Sequence, residues 1–423
     1  GRGRPGRDDH GPATEQRLHT ELAHLRVWRQ LGLPAGVVRG HRTTGAATRT
    51  IAQLAFLRNL APGEAYRAEL PTLWDTALGT AVGPAERTVR QLPGAVHQLV
   101  FRCPDGSSVP VATTRPELLP ACVALVVHPD DERHRHLVGR TVRTPVFEVA
   151  VPVCGHRLVD PGKGTGIAMV CTFGDTLDVT CWRELNLTTR QVIGPDGRFT
   201  SGPPPGVDTP PALAAYAHLA GAAAPTARAR IVRLLGSAGA LEGEPRPLTH
   251  PVPFSGVGEE PLEIIITGQW YLRDGGRDAD LRERLLRRGA ELGWHPPRLG
   301  ARCASGSRGL GGDWLISRQR SSGVPIPLWY ALDRDGRPGH QRPLVPEETA
   351  LPVDPCTQPP PGYTEDQRGA PGGFLADGDV MDAWAISSLT PQIAAGWPAQ
   401  PDLFALVFPM DLRSEAHETL RAG

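Results

Sequence analysis

An α/β protein, with a β-rich segment set between helical flanks, is what the periods of the apolar residues predict. Leu18, Leu22, Leu25 and Leu31 recur at helical spacing near the start, and short Val-rich runs take over from Ala95. Helical and strand-like runs then mix through the last third, which suits an α/β layer.

Taken in order, the first helix spans 13–31 and stops at Gly32 and Pro34. Ile51, Leu54 and Leu57 mark a second helix that ends before Pro62-Gly63. Val96 and Val100 on one side, with Val109 and Val111 on the other, flank Pro104-Asp105-Gly106, a hairpin signal. Strand-like runs continue at Leu125-Val126-Val127, 149–153 and 167–170. Residues 201–225 are low-complexity Pro, Gly and Ala and read as a loop or a poorly ordered surface. A helix follows from Thr226, its expected N-cap, to Gly236, and another covers 279–292 on Leu281, Leu285 and Leu292. A Pro-rich stretch fills 338–373, and no internal repeat is evident.

A chain of 423 residues has room for two or three domains. Its formal net charge is +0, so no global basic field advertises nucleic acid. Lys163 is the sole lysine among arginines, so chemistry that needs a deprotonatable amine has one candidate. The seven cysteines form no Cys-x-x-Cys pair and have no histidine spacing suited to zinc. They read as buried, reduced thiols of a cytoplasmic protein without a metal centre. No apolar run reaches membrane-spanning length and no signal peptide precedes the first domain. The start at Gly1 rather than Met suggests a fragment or a processed reading frame.

The stretch 312–330 carries the densest signal, with Trp314, Ile316-Ser317-Arg318-Gln319-Arg320, Pro325-Ile326-Pro327 and Trp329 in one run. It resembles the Trp-x-Ile-Ser-Arg-Gln-Arg-x-x-Gly-x-Pro-Ile-Pro-x-Trp segment of class I aminoacyl-tRNA synthetases for branched aliphatic amino acids. Other segments resemble that family in the same order. These are Gly6 to Glu15, Thr113-Thr114-Arg115-Pro116-Glu117, His128 to Arg133, Gly164-Thr165-Gly166, and Asp382-Ala383-Trp384 with Ser387-Ser388. The set is most similar to the valyl branch. The resemblance implies a Rossmann-like catalytic domain split by a β-rich editing insertion of the connective-peptide type. Its layout here is a first catalytic part over 1–92, an editing domain over 93–262 and a second catalytic part over 263–423.

The same resemblance implies roles. Asp8 matches the aspartate that binds the amino acid's ammonium, and Trp314 and Trp384 match the two tryptophans that shape a valine-sized pocket. In the editing domain, Asp178 matches the ammonium-binding aspartate. Asp175, three residues earlier, lies on the same side of a turn or helix and is suited to order water or a threonine hydroxyl. Thr113 and Thr114 line the water, and Arg115 holds the terminal ribose-phosphate. Read as residues alone, Asp175 is equally a helix N-cap and Arg115 a strand-end salt bridge. Implied partners are valine, threonine and the acceptor end of tRNA(Val), for a chain acting as a monomer with no membrane. ATP with Mg is implied for the synthetic reaction, and no cofactor is needed for editing. The His-x-Gly-His and Lys-Met-Ser-Lys-Ser motifs of ATP activation are not in this sequence, so adenylate formation by this polypeptide alone is not expected. An inactive paralogue or fragment that binds an amino acid, tRNA or protein is the alternative.

Several positions depart from the family pattern. Met169 stands where a lysine is frequent, Cys171-Thr172-Phe173-Gly174 where Thr-Pro-Ala-His is usual, and Leu118 where a threonine is. Arg7, Ser321-Ser322 and 303–307 depart on the synthetic side. Gly162-Lys163-Gly164-Thr165-Gly166 looks like a phosphate loop but leads into a strand-like run, whereas a phosphate loop opens a helix.

Overall fold

Residues 12–32 and 45–413 are described in this computed structural model, and Asp8 lies outside them. The chain divides into two compact units, residues 1–68 with 268–423 and residues 69–267.

The first unit opens with helices α1 (Pro12–Gln30) and α2 (Ala46–Leu60), then β1 (Ala65–Asp75) runs across the unit limit. Leu22 of α1 and Leu31 just beyond its end are exposed, so their period marks a helix but not a core face. α2 buries Ile51, Leu54 and Leu57 as their spacing requires.

The second unit holds β2 (Thr80–Ala81), β3 (Arg87–Arg102), β4 (Ser108–Thr113), β5 (Cys122–Val127), β6 (Thr141–Arg143), β7 (Ala150–Gly155) and β8 (Ile167–Cys171). Helices α3 (Thr176–Glu184), α4 (Pro210–Ala217) and α5 (Ala224–Ser237) follow, then β9 (Arg246–Ser255) and the first half of β10 (Glu263–Leu272). Its sheet runs β4-β3-β6-β7-β5-β8, with β9 also on β3. Only β5–β7 is parallel among these described pairs. β3 is long enough to serve three partners, with Arg102 alone facing Arg143 of β6. Residues 87–96 pair with β9 and His97–Arg102 pair with β4. An expected boundary at 92/93 would cut this strand in the middle. The segment before it also belongs to this unit: Trp74 Nε1 donates to the Pro195 carbonyl at 2.9 Å, and Ser255 Oγ to Asp75 Oδ2 at 2.7 Å.

Alternation sorts the strands' faces. Leu99 and Phe101, Val109 and Val111, and Val151 and Val153 enter one core. β5 is buried at every position, with Leu125 and Val127 in that core and Ala124 and Val126 in a second cluster beside α3. This double burial explains its continuous apolar run. The hairpin turns at Gly106, whose φ of 82° needs a residue without a side chain.

Two expectations are corrected. The stretch 201–225 is not all loop, because α4 forms inside it, capped by Thr209 and started by Pro210 and Pro211. Proline is favoured in a first turn, where its missing N–H costs nothing. For the same reason α5 begins at Ala224 with Pro225 in its first turn, and Ala223 rather than Thr226 is the N-cap.

The first unit resumes with α6 (Ala279–Ala290), α7 (Arg298–Arg308), β11 (Trp314–Leu315), β12 (Ser317–Arg318), β13 (Trp329–Leu332) and β14 (Pro338–Leu344). It ends with β15 (Phe374–Ala376), β16 (Val380–Met381), α8 (Ala383–Ser388), α9 (Thr390–Ala394) and α10 (Pro401–Val407). Phe56 of α2 meets Trp270 edge-on at 5.2 Å, in a core shared with Ile316, Val324, Ile326, Leu328 and Met381.

Candidate functional site

β4 ends at Thr113, and Pro116 opens a short 3-10 turn over Pro116–Ala121. Between them, Thr113 Oγ1 accepts the Arg115 N–H at 3.0 Å, which fixes where the arginine departs. Thr114 is half-buried beside it. The Arg115 guanidinium then reaches three partners. Nε donates to Glu117 at 3.1 Å, Nη2 straddles the Glu263 carboxylate at 2.9 and 3.0 Å, and Nη1 reaches the Gly174 carbonyl at 3.5 Å. Burial lowers the Arg115 pKa, but Glu263 and Glu117 more than reverse this and raise it.

Glu117 is wholly buried and is gripped from α5, where Arg228 Nε and Nη2 donate to its two oxygens at 2.8 and 2.7 Å. Burial would push its carboxyl up, yet the Arg228 hydrogen bonds and the Arg115 charge hold it below the usual carboxylate range. α5 can do this because Ala227, Ile231 and Leu235 form a buried stripe at i, i+4, i+8 that presses it toward the 116–121 turn.

The Gly174 contact leads to the second half of the site. Asp175 is the N-cap of α3 and its Oδ1 accepts the Asp178 N–H at 3.0 Å. Asp178 in the first turn is 7% exposed, and its Oδ2 accepts the N–H of Gly174 at 2.8 Å and of Cys171 at 3.2 Å. Burial, and then the Asp175 carboxylate, push Asp178 well above the ordinary range, while the two N–H groups and Arg115 pull the other way. A methyl group on Gly174 would stand 2.6 Å from Asp178 Oδ2 and 3.2 Å from Leu118 Cδ1, so glycine is needed for the close approach.

Sequence reading singled out Asp175, Asp178, Thr113, Thr114 and Arg115. The structure brings Asp175, Asp178, Thr113 and Arg115 into one continuous hydrogen-bonded path. Arg115 is not a bare cation, because two carboxylates already face it. Missed were Arg228, Glu263 and His97. His97 stands opposite Thr113 in the β3–β4 register, with its buried Nδ1 lacking a hydrogen-bond partner. Burial, then the Arg228 charge, lower its pKa against the pull of Glu117. No local sequence signal marked it.

Of the other features, Lys163 lies exposed in a loop that enters β8, a strand, so it is no phosphate loop. A cavity of about 520 Å³ lined by His218, Arg230 and Arg233 contains none of the candidate residues. Among the described residues no group of three His, Cys, Asp or Glu side chains is placed to hold a metal ion.

The family model for class I tRNA synthetases (I, L, M and V) matches residues 24–422. The chain belongs to that family. It is 58% identical to the valine–tRNA ligase of Thermobifida fusca over 96% of this chain and 46% of that protein. Identity is 55% to the Salinispora tropica valine–tRNA ligase, over 95% of this chain and 47% of that one. It is 52% to the Cutibacterium acnes valine–tRNA ligase, over 93% and 45%. The chain thus spans about half the length of these curated relatives.

Within this class I synthetase chain, the signature run 312–330 serves the fold of the first unit. β12 pairs with β16, and the buried Arg318 side chain meets Asp382 at 3.1 Å. Ser317 Oγ donates to Gln269 at 2.6 Å, and Gln319 Nε2 bridges Gln269 and Asp379 at 2.9 and 3.0 Å. Trp270 Nε1 and Tyr330 OH both donate to Asp377 Oδ2, at 2.8 and 2.5 Å. Trp314 packs half-buried beside Ile316, and Trp384 follows the Asp382 cap of α8. The Asp382 N–H donates to the Ile316 carbonyl at 2.7 Å, so the two tryptophan-bearing segments run side by side.

Proposed function

We propose that this chain is part of a valine–tRNA ligase and that the chemistry it carries most completely is hydrolysis of Thr-tRNA(Val). The observation behind this reading is the convergence of Asp178 and Thr113-Arg115 on Gly174 in the second unit. Such hydrolysis has a clear need. A valine pocket discriminates against isosteric threonine by only roughly a hundredfold, so a second sieve is required.

In this reading Asp178 receives the ammonium of the threonyl ester. Its Oδ2 is occupied by two N–H groups and Oδ1 has no hydrogen-bond partner among the described residues, which leaves an acceptor for a charged donor. Asp175, exposed at the start of α3, and the half-buried Thr113 and Thr114 order the attacking water. Water adds to the ester carbonyl carbon, the bond to the ribose oxygen breaks, and that oxygen takes the proton. Arg115 acts mainly by holding the Gly174 loop against β4, with its partly exposed edge turned to the terminal ribose-phosphate. Trp314, Trp384 and Asp8 belong to valine binding in the synthetic reaction. ATP with Mg belongs to that reaction too. The described residues offer no metal-holding cluster, so no step here runs through it. The chain acts in the cytoplasm as a monomer.

Incubating the chain with Thr-tRNA(Val) and Val-tRNA(Val) tests this. The expected result is threonine release well above buffer with valine retained, and release no faster than buffer refutes it.

A further inference from the structure

β5 and β8 pair antiparallel, and Cys122 at one strand's start faces Cys171 at the other's end. The Thr172 N–H reaches the Ala121 carbonyl at 3.2 Å, one residue outside that pair on each strand. The register shifts between Cys122 and Ala124, so β5 is irregular just past this pair, and the two cysteines stand directly opposite each other at the end of the regular ladder. Both side chains enter the same core cluster. Burial, and then the neighbouring Cys122 thiol, push Cys171 well above the ordinary thiol range, so the closed pair reacts slowly. β8 is the end strand of its sheet, bonded to β5 alone in the strand order, and end strands open locally most readily.

Cys171 also belongs to the hold on Asp178. Its N–H···Oδ2 distance of 3.2 Å is at the outer end of the hydrogen-bond range. A disulfide demands its own Cα separation and bond directions, so closing a bridge at this irregular end of the ladder shifts the strand ends. The long Cys171–Asp178 hydrogen bond is the first contact to break.

We propose that Cys122 and Cys171 are a redox-active dithiol that closes to a cross-strand disulfide under hydrogen peroxide and thereby disables the Asp178 carboxylate. One thiolate attacks the peroxide O–O bond, which yields a sulfenic acid and, after protonation, water. The second thiolate displaces the sulfenic oxygen as water and forms the S–S bond. The two thiols lose two electrons and peroxide becomes two waters. A bridge that shifts its strand ends is strained and readily reduced, so a thiol reductant reopens it. The effect on hydrolysis rests on the editing reading above, whereas the bridge itself does not.

The full chain is treated with peroxide, alkylated under denaturing conditions and analysed by mass spectrometry and amide hydrogen exchange. A linked Cys122–Cys171 peptide about 2 Da lighter than its thiols is expected. Faster exchange at the Cys171 and Gly174 amides should accompany it. Threonine release should fall at least about tenfold, the worth of roughly 1.4 kcal/mol, and dithiothreitol should reverse all three. Cys122→Ala, or Cys122→Ser if the first folds poorly, should keep hydrolysis and lose peroxide sensitivity. Full alkylation of both cysteines after peroxide overturns the proposal, as does a bridge that leaves amide exchange unchanged. A reduced chain that releases no threonine refutes the editing reading, while mass and exchange still decide the switch.

Discussion

Arg115 and Asp178 are joined through one residue, Gly174. The Gly174 carbonyl accepts from Arg115 Nη1 at 3.5 Å, and the Gly174 N–H donates to Asp178 Oδ2 at 2.8 Å. The end of β4 and the start of α3 therefore set each other's position, and disturbing Gly174 disturbs both.

Asp178→Asn removes the charge offered to the substrate ammonium. Threonine release is expected to fall roughly 10- to 100-fold, the value of one charge-assisted hydrogen bond. Stability moves the other way. The Asp178 pKa is raised in the folded state, so its contribution is present in acid and lost as pH rises through that raised value. The variant should melt higher than the parent at neutral pH, with the gain vanishing in acid. Melting curves across pH check the sign.

Gly174→Ala places a methyl group 2.6 Å from Asp178 Oδ2. Overpacking of this kind costs about 1–3 kcal/mol. Hydrolysis should drop alongside stability, and adding Leu118→Ala should not restore it, because the carboxylate is the nearer obstacle. Denaturant titration with deacylation assays on both variants decides this.

Glu117→Gln leaves the Arg228 guanidinium without its carboxylate and should cost about 3 kcal/mol. The Glu117 pKa is lowered in the folded state, so its stabilisation is complete above the ordinary carboxylate range and is lost as pH falls from there through the lowered folded value. Relative to the parent, the variant should lose part of the acid-side fall in stability. Chemical unfolding at pH 7 and pH 4 is the measurement.

Asp382→Ala removes the carboxylate that the Arg318 guanidinium meets, and both side chains are almost wholly buried. The expected cost is about 3–5 kcal/mol, and Arg318→Met combined with Asp382→Leu should recover most of it. Calorimetry on the single and double variants tests whether the pair is needed for stability or only for register.

What was legible in the sequence is local. Asp175 and Asp178 sit at cap spacing, and the cap forms as read. The strand after Lys163 exposed the false phosphate loop, and the turn at Gly106 announced the hairpin. Prolines misled where they begin helices, at Pro210 and Pro225. Arg228 and Glu263 lie 111 and 148 residues from the groups they pair with, beyond any spacing rule.

The sequence by itself determined the family, the β-rich middle segment and the Asp175 cap, because those depend on residues a few positions apart. Only the tertiary structure decided that Arg115 is neutralised rather than free, that His97 stands opposite Thr113, and that Cys122 faces Cys171. Each of these depends on strand register or on α5 packing over the 116–121 turn. Buried charges must find partners wherever packing brings them.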